Sequence, residues 1–272
     1  KIYWGTGQFV LGAILGTVAV AIFSVAILLQ QMYMTFSGAI SGLLLPKVTA
    51  MVTNSRSNKE ISDFFIRTGR IQCLVISFTL CGFIVFGQDF INIWAGSDYS
   101  TAFVITLIFF VSLFAPLIQN TGIIILQARN QMKFRSLLYL FISIASLALQ
   151  IIWSKHFGVL GCAAAIGIAL VIGQGFIMNI YYQKRQGLDI ADFWREIGKI
   201  LIAPAILTSL WMLLSVYIDY STVCNLIVGV ICFSVLFMAL LWKFSMNDFE
   251  RSLIRNPFLS VSTKVNKKLN RK

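Results

Sequence analysis

Apolar residues occur along this chain in long runs that short polar segments separate. A helix needs about 20 such residues to cross a bilayer, and backbone groups cannot stay unpaired in lipid. The runs therefore predict about eight membrane-spanning helices, and the first run looks truncated. They cover about residues 2–16, 18–45, 64–86, 102–127, 134–153, 159–182, 197–218 and 223–242.

The composition supports the same class of protein. Hydrophobic residues make up 58% of the 272 residues, charged residues only 12%, and the mean hydropathy is +0.84. An average soluble domain carries about 25% charged residues. Too little polar surface remains for a water-soluble globule, so the predicted fold class is an all-α integral membrane protein, a polytopic helix bundle. Because no signal peptide can be read after Lys1, we expect the C-terminal part of a longer chain.

The positive charges are distributed unevenly between the loops. The formal net charge is +12, which in a soluble protein would suggest nucleic acid. Here all but one of the 22 Lys and Arg residues fall on one alternating set of loops and ends, and the exception is Lys155. The positive-inside rule places that set in the cytoplasm. The sequence therefore predicts a cytoplasmic C-terminus and no nucleic-acid partner.

Residues for enzyme chemistry or metal binding are scarce. The one histidine, His156, lies in a predicted outer turn, and no carboxylate lies deep in a predicted span. A phosphate-binding Gly-rich loop is also missing. The five cysteines lack metal-ligand spacing, so they are predicted to be free, buried thiols. They are Cys73, Cys81, Cys162, Cys224 and Cys232. We expect a protein that is not an enzyme and has no cofactor or metal.

Two predicted spans carry uncharged polar residues. These are Gln30, Gln31, Tyr33, Thr35, Ser37 and Ser41 in the second run, and Gln119, Asn120, Thr121 and Gln127, beside Pro116, in the fourth. Their spacing places Gln30 with Ser37 and Ser41, and Pro116 with Asn120 and Gln127, on one helix face each. Such faces point at protein or water, because amides are costly in lipid. They predict either hydrogen bonds between helices or an aqueous cavity for a polyhydroxylated cargo.

Small residues four apart occur in two of the spans, at Gly12 and Gly16 and at Gly38 and Gly42. This spacing lets helix backbones approach closely in lipid. We expect it to serve helix packing. Pro116 removes a backbone hydrogen bond inside the fourth run, which predicts a bend there.

Four strings resemble those of a known family, in order and spacing. They are GLLLPKV at 42–48, GQDFINIWAGSDY at 87–99, LQARNQ at 126–131 and GVLGCAAA at 158–165. Together they resemble the C-terminal half of bacterial polysaccharide-biosynthesis membrane proteins, the Wzx-type flippases of lipid-linked oligosaccharides. These belong to the multidrug/oligosaccharidyl-lipid/polysaccharide exporter superfamily. The resemblance covers roughly residues 1–200.

The resemblance implies two six-helix lobes and alternating access in the bacterial cytoplasmic membrane. The implied cargo is an undecaprenyl-diphosphate-linked oligosaccharide repeat unit, which moves from the inner to the outer leaflet. Residues 1–183 would form helices of the second lobe, 184–243 two appended helices with a cytoplasmic linker, and 244–272 a basic cytoplasmic tail. Implied partners are membrane lipids, a polysaccharide polymerase and assembly proteins.

The expected site residues follow from the polar faces and the basic loops. Gln30, Tyr33, Asn120 and Gln127 are expected to line the cavity. The family often places charged residues in that cavity, but no predicted span centre here is charged. Cations at the cytoplasmic mouth could meet the diphosphate instead, or they are ordinary positive-inside charges. These cations are Lys47, Arg67, Arg70 and Arg129, and Lys47 and Arg129 are our choice for the diphosphate.

Three other functions stay open. A cation-coupled drug antiporter of the same superfamily would carry a carboxylate in a lobe cavity, which these predicted spans lack. A membrane glycosyltransferase, acyltransferase or polymerase would need a long outer loop or a buried His or Asp. The acidic candidates Asp89 and Asp98 lie in a predicted outer loop, at 87–101, which is short. A scaffold of a polysaccharide assembly complex is the third.

Overall fold

A computed structural model of the chain describes residues 2–215, 217, 218, 220–252 and 255. The regular elements in this part of the chain are all helical. The α-helices are α1 (Ile2–Leu15), α2 (Thr17–Gly42), α3 (Leu45–Thr53), α4 (Asn58–Trp94), α5 (Thr101–Ile118), α6 (Asn120–Ala128), α7 (Lys133–Leu170), α8 (Met178–Gln186), α9 (Ile190–Ser215) and α10 (Val223–Leu240). Most of the predicted basic tail, at 253, 254 and 256–272, lies outside the described residues.

Six helical stretches in the described residues are long and apolar enough to cross a membrane. They are Thr17–Gly42, Asn58–Trp94, Thr101–Ile118, Lys133–Gln186, Ile190–Ser215 and Val223–Ser245. Helix α1 is a shorter apolar helix of 14 residues. The prediction of an all-α protein with several membrane-crossing helices is therefore confirmed.

Helix α4 extends beyond the predicted span at both ends. It begins at Asn58 because Ser57 caps it: the Ser57 hydroxyl accepts a hydrogen bond from the Glu60 backbone N–H at 3.3 Å. Ser57 and Glu60 have the spacing of a capping box, a signal for a helix start. With 37 residues, α4 is about 56 Å long, more than a bilayer core. Its ends therefore reach the aqueous phase and can carry charged groups.

The stretch Lys133–Gln186 is a helical hairpin, and the chain reverses at Gly158 with φ +61°. The Cys162 sulfur lies 3.8 Å from Gln150 Oε1, although twelve residues of straight helix would span about 18 Å. Near the open end, the rings of Phe134 and Tyr181 stack with centroids 4.1 Å apart. The reversal separates the predicted spans at 134–153 and 159–182.

The fourth predicted span, 102–127, is broken into α5 and α6. Helix α5 contains Pro116 and ends at Ile118, and α6 begins at Asn120. Gln119, between them, leaves helical geometry with φ −98° and ψ 12°. The predicted bend at Pro116 thus occurs as a complete interruption three residues later.

Helices α9 and α10 pack on α4. Phe193 of α9 stacks on Phe65 of α4 with ring centroids 4.7 Å apart. Toward the other end of α4, the Phe86 ring meets the rings of Tyr220 at 5.2 Å and Phe233 at 5.7 Å. Aromatic contacts of this kind stabilise packing beyond the area they bury. The two appended helices are therefore integral to the described bundle.

The cysteines divide into two groups. Cys73, Cys81 and Cys162 are buried and free, as predicted. Cys224 and Cys232 are also free but exposed, so the prediction that all five are buried was wrong. Both lie on α10, which packs against the bundle along one side only and buries Leu226, Gly229, Phe233 and Phe237.

The hairpin generates a prediction about two glycines. Gly161→Ala should destabilise the protein, because its Cβ would overlap the backbone carbonyl of Trp153. Gly158→Ala has open space and should cost only the backbone strain of φ +61° and ψ −142°, about 1–3 kcal/mol. Gly175→Ala is the control, since its nearest neighbouring atom would lie 3.9 Å away. Thermal unfolding in detergent measures all three, and equal melting temperatures for Gly161→Ala and Gly175→Ala would contradict the close contact.

Candidate functional site

Side chains of α2 and α6 cover the break at Gln119. The Ser37 hydroxyl donates a hydrogen bond to the Leu117 carbonyl at 2.7 Å. The Asn120 side-chain amide donates to the Ser37 hydroxyl oxygen at 3.3 Å. Ser37 is fully buried, so the carbonyl at the end of α5 is satisfied without solvent. An interrupted helix in an apolar surrounding needs such substitutes.

Gln72 of α4 closes the break from a second direction. Its amide lies 2.6 Å from the Ser41 hydroxyl. When the Gln72 side-chain oxygen accepts a hydrogen bond from this hydroxyl, its side-chain nitrogen donates to two backbone carbonyls. These are the carbonyls of Ile118 at 2.8 Å and Leu117 at 3.2 Å. The freed backbone groups are therefore held by neutral hydrogen bonds from two other helices.

A small polar cavity lies on another side of the break. It has a volume of about 10 Å³ and is lined in part by Gln119, Arg135 and Gln174. This volume corresponds to about one water molecule. Gln119 donates from its side-chain amide to Asn179 Oδ1 at 2.6 Å. The second arm of the hairpin is π-helical here, over Val171–Ile177, so irregular backbone occurs on both helices.

Two of the four residues expected to line a cavity lie inside the bundle. Gln30 is fully buried, and its Nε2 donates to the Met34 sulfur at 2.6 Å. Its Oε1 has no hydrogen-bond partner among the described residues. Tyr33 is also fully buried, stacks on Phe110 at 4.1 Å, and its hydroxyl lies 3.4 Å from the Ile76 carbonyl. Gln30 lines no described cavity, and Tyr33 forms part of the wall of an apolar groove rather than of a polar one.

The other two residues lie on α6. Asn120 is half-buried at the break, and Gln127 is exposed near the end of the helix. The structure therefore does not bring the four residues together on one surface. Gln30, Ser37 and Ser41 share one face, as the spacing predicts, but it is the buried face of α2.

The outward face of α2 carries a second polar stripe, whose residues the sequence analysis named but did not group on one face. Gln31, Thr35, Gly38 and Gly42 have the spacing of one helix face, and all four are exposed. A Cβ added at Gly38 or Gly42 would meet no atom within 4 Å. The small-residue spacing at these glycines is thus not used for packing within the described chain. Because an amide is costly in lipid, this face is suited to water or protein.

The two cations chosen for a diphosphate differ in their surroundings. Lys47 is exposed, with its ammonium 4.9 Å from the centre of the Phe64 ring. Arg129 donates to the Gln186 backbone carbonyl at 2.7 Å and to Asn58 Oδ1 at 2.9 Å. Partial burial lowers the pKa of Arg129, but a guanidinium stays charged at neutral pH. Arg129 ties the start of α4 to the ends of α6 and α8, while Lys47 presents an exposed charge.

Arg70 does not lie open at the cytoplasmic mouth as expected. It is buried, and its guanidinium contacts Glu250 at 2.6 Å and Glu196 at 2.8 Å. Two carboxylates already neutralise it, so it is not available to a phosphate. Their distance in sequence from Arg70 hid this arrangement from pattern reasoning.

An apolar groove of about 380 Å³ runs between α2, α4, α5 and α10. Aromatic side chains dominate its walls, and they include Phe36, Phe78, Phe83, Phe90 and Phe233. Its only side-chain hydroxyls are those of Thr79, Ser234 and the buried Tyr33. A surface of this composition fits a hydrocarbon chain rather than a sugar.

Comparisons with family models, curated proteins and solved structures gave no match to this chain. Its function is therefore inferred from sequence pattern and geometry.

The network at the break predicts a difference between two neighbouring hydroxyls. Ser37→Ala should lower stability by about 1–3 kcal/mol, because it leaves the buried Leu117 carbonyl without this donor. Thr35→Ala should change stability by less than about 0.5 kcal/mol, since Thr35 is exposed and its hydroxyl bonds only the Gln31 carbonyl of its own helix. Thermal unfolding of both purified variants tests this, and equal effects would argue against the network.

Proposed function

We propose that this chain is the C-terminal part of a Wzx-type flippase, which moves undecaprenyl-diphosphate-linked oligosaccharide across the bacterial cytoplasmic membrane by alternating access. The observation that carries the proposal is the interrupted helix at Gln119. Transporters that rock around a central site use broken helices whose freed backbone groups neighbouring side chains satisfy. Here Ser37 and Gln72 supply those side chains, and each bond is a neutral one that can be exchanged.

The topology expected of such a protein is compatible with the helices. Counting the two arms of the hairpin separately and including α1 makes eight crossings, with the loops rich in Lys and Arg on the cytoplasmic side. The C-terminus is then cytoplasmic, and α9 and α10 are the pair appended to the second lobe. The expected partners are the lipid-linked cargo, membrane lipids and the polymerase and assembly proteins.

The outward stripe of α2 is the surface we assign to the sugar. Gln31 and Thr35 offer an amide and a hydroxyl, and the glycines at 38 and 42 leave room beside them. Such neutral groups can exchange hydrogen bonds with sugar hydroxyls without holding the cargo through a charge. Asn120 and Gln127 extend the polar surface along α6 in this proposal.

The other two parts of the cargo need different surroundings. The apolar groove beside Phe36 and Phe78 accommodates part of the polyprenyl chain, which stays in a hydrocarbon environment throughout. Lys47, which is exposed, attracts the diphosphate at the cytoplasmic side in this proposal. Arg129 acts indirectly, by positioning the helix ends around it through Gln186 and Asn58.

Deleting the gene tests the function directly. Lipid-linked repeat units should accumulate in the cytoplasmic leaflet and surface polysaccharide should be lost, and the intact gene should restore both. Normal surface polymer with an unchanged distribution of the lipid-linked units between leaflets would overturn the proposal.

Substitutions on the outward face of α2 test the assigned surface. Thr35→Leu and Gln31→Leu should each slow flipping several-fold, as expected for the loss of hydrogen bonds worth about 1 kcal/mol each. Their thermal stability should stay near that of the unmodified protein, because both positions are exposed. Val228→Leu, on an exposed position of α10, is the control and should flip normally. Unimpaired flipping in both α2 variants would remove this surface from the site.

A further inference from the structure

Arg70 makes the most extensive charged contact in the described residues. Its Nε donates to Glu250 Oε1 at 2.6 Å and its Nη2 to Glu250 Oε2 at 3.1 Å, across 180 residues of sequence. The side chain of Arg70 is 8% exposed and that of Glu250 only 3%. This two-point geometry is the strong, orientation-specific form of an Arg–carboxylate pair.

A second carboxylate and a backbone carbonyl complete the cluster. Arg70 Nη1 lies 2.8 Å from Glu196 Oε2 on α9, and Lys199 pairs with the same carboxylate. Arg70 Nη2 also donates to the Ser245 carbonyl at 3.1 Å, at the end of the π-helical turn Leu241–Ser245. Two basic and two acidic groups leave the cluster neutral. One guanidinium therefore bonds α4, α9 and the chain that follows α10.

The segment that carries Glu250 is itself fixed in orientation. The Asn247 backbone N–H donates to Glu250 Oε2 at 2.9 Å, and the Glu250 N–H donates to Asn247 Oδ1 at 2.9 Å. This reciprocal pair has the geometry of a capping box, which starts a helical turn. Glu250 is thus presented to Arg70 by a preorganised turn.

The same segment borders an apolar cavity. A space of about 260 Å³ lies between α4 and α10, with walls that include Leu74, Phe78 and Met238. Met246 and Glu250 are also part of its lining. Met246 is 8% exposed, so the chain after α10 covers this side of the cavity.

We propose that residues 246–252 form a strap that closes one end of this cavity, and that Arg70 is the positioning residue that holds the strap shut. The strap is a conformational device beside the first third of α4, where Glu196 and Lys199 of α9 also lie. Its opening joins the cavity to the aqueous phase, and its closure seals the cavity with a neutral ion cluster. The inference does not depend on the proposed flippase activity.

The experiment measures access to the strap with one added cysteine, and the same protein without it gives the background labelling of the buried Cys73, Cys81 and Cys162 in each variant. Met246→Cys is placed in the full chain after Cys224 and Cys232 are replaced by alanine, and open membrane fragments are treated with a bulky polar maleimide. Labelling should be slow when Arg70 is present and at least about tenfold faster with Arg70→Gln, because a buried carboxylate then loses its partner. Arg70→Lys should give an intermediate rate, since it keeps the charge but loses the two-point contact.

Matched variants separate the strap from general unfolding. Lys59→Gln removes one positive charge from an exposed position of α4 and should leave the labelling rate unchanged. The double variant Arg70→Gln with Glu250→Gln removes both charges of the pair. Its increase in labelling rate should therefore be smaller than the product of the increases in the two single variants. Size-exclusion elution of each detergent-purified variant checks folding.

Two results would overturn the proposal. One is a rate for Arg70→Gln equal to that for Lys59→Gln, and the other is a double variant whose effect equals the product of the single effects. Leaflet distribution of lipid-linked units is a separate measurement, so the strap and the flippase proposal can fail independently.

Discussion

The structure depends on one constraint: backbone polar groups in an apolar surrounding must find hydrogen-bond partners within the protein. Uninterrupted helices meet it locally, and this chain is helical wherever its long apolar runs occur. The break between α5 and α6 is where the constraint becomes visible. Ser37 and Gln72, from two different helices, supply the partners that Leu117 and Ile118 lack. The helix can be interrupted there because side chains of α2 and α4 replace its missing backbone hydrogen bonds.

Three of the four cations expected at the cytoplasmic mouth illustrate how burial decides the role of a charge. Arg70 is enclosed by two carboxylates and acts within the protein. Arg129 is bonded to neutral acceptors that join three helix ends. Lys47 keeps an exposed charge that can meet an anion from outside. Charge alone does not distinguish these residues, because the energetic difference between them comes from desolvation and from the partners they find.

Different surfaces of α2 match different parts of the proposed cargo. Its buried face holds Gln30 and Ser37, its outward face carries Gln31 and Thr35, and the flank between includes Phe36 of the apolar groove. A glycolipid has the same division into a polar head and a hydrocarbon chain. The adjacency of a polar stripe and an apolar groove on one helix is the reason for proposing that cargo class.

Sequence alone determined the long apolar helices, the free thiols and a bend near Pro116, because hydropathy and proline act over a few residues. It missed α3 and the capped first turns of α4. It also determined that Gln30, Ser37 and Ser41 share a face. It could not decide whether that face or the face with Gln31 and Thr35 is buried. Helical periodicity fixes which residues share a face, but it does not fix which face points into the bundle. That choice, like the meeting of Arg70 with Glu250, depends on packing between segments far apart in the chain. Only the tertiary structure decides it, because the free energy of burial belongs to the assembled bundle.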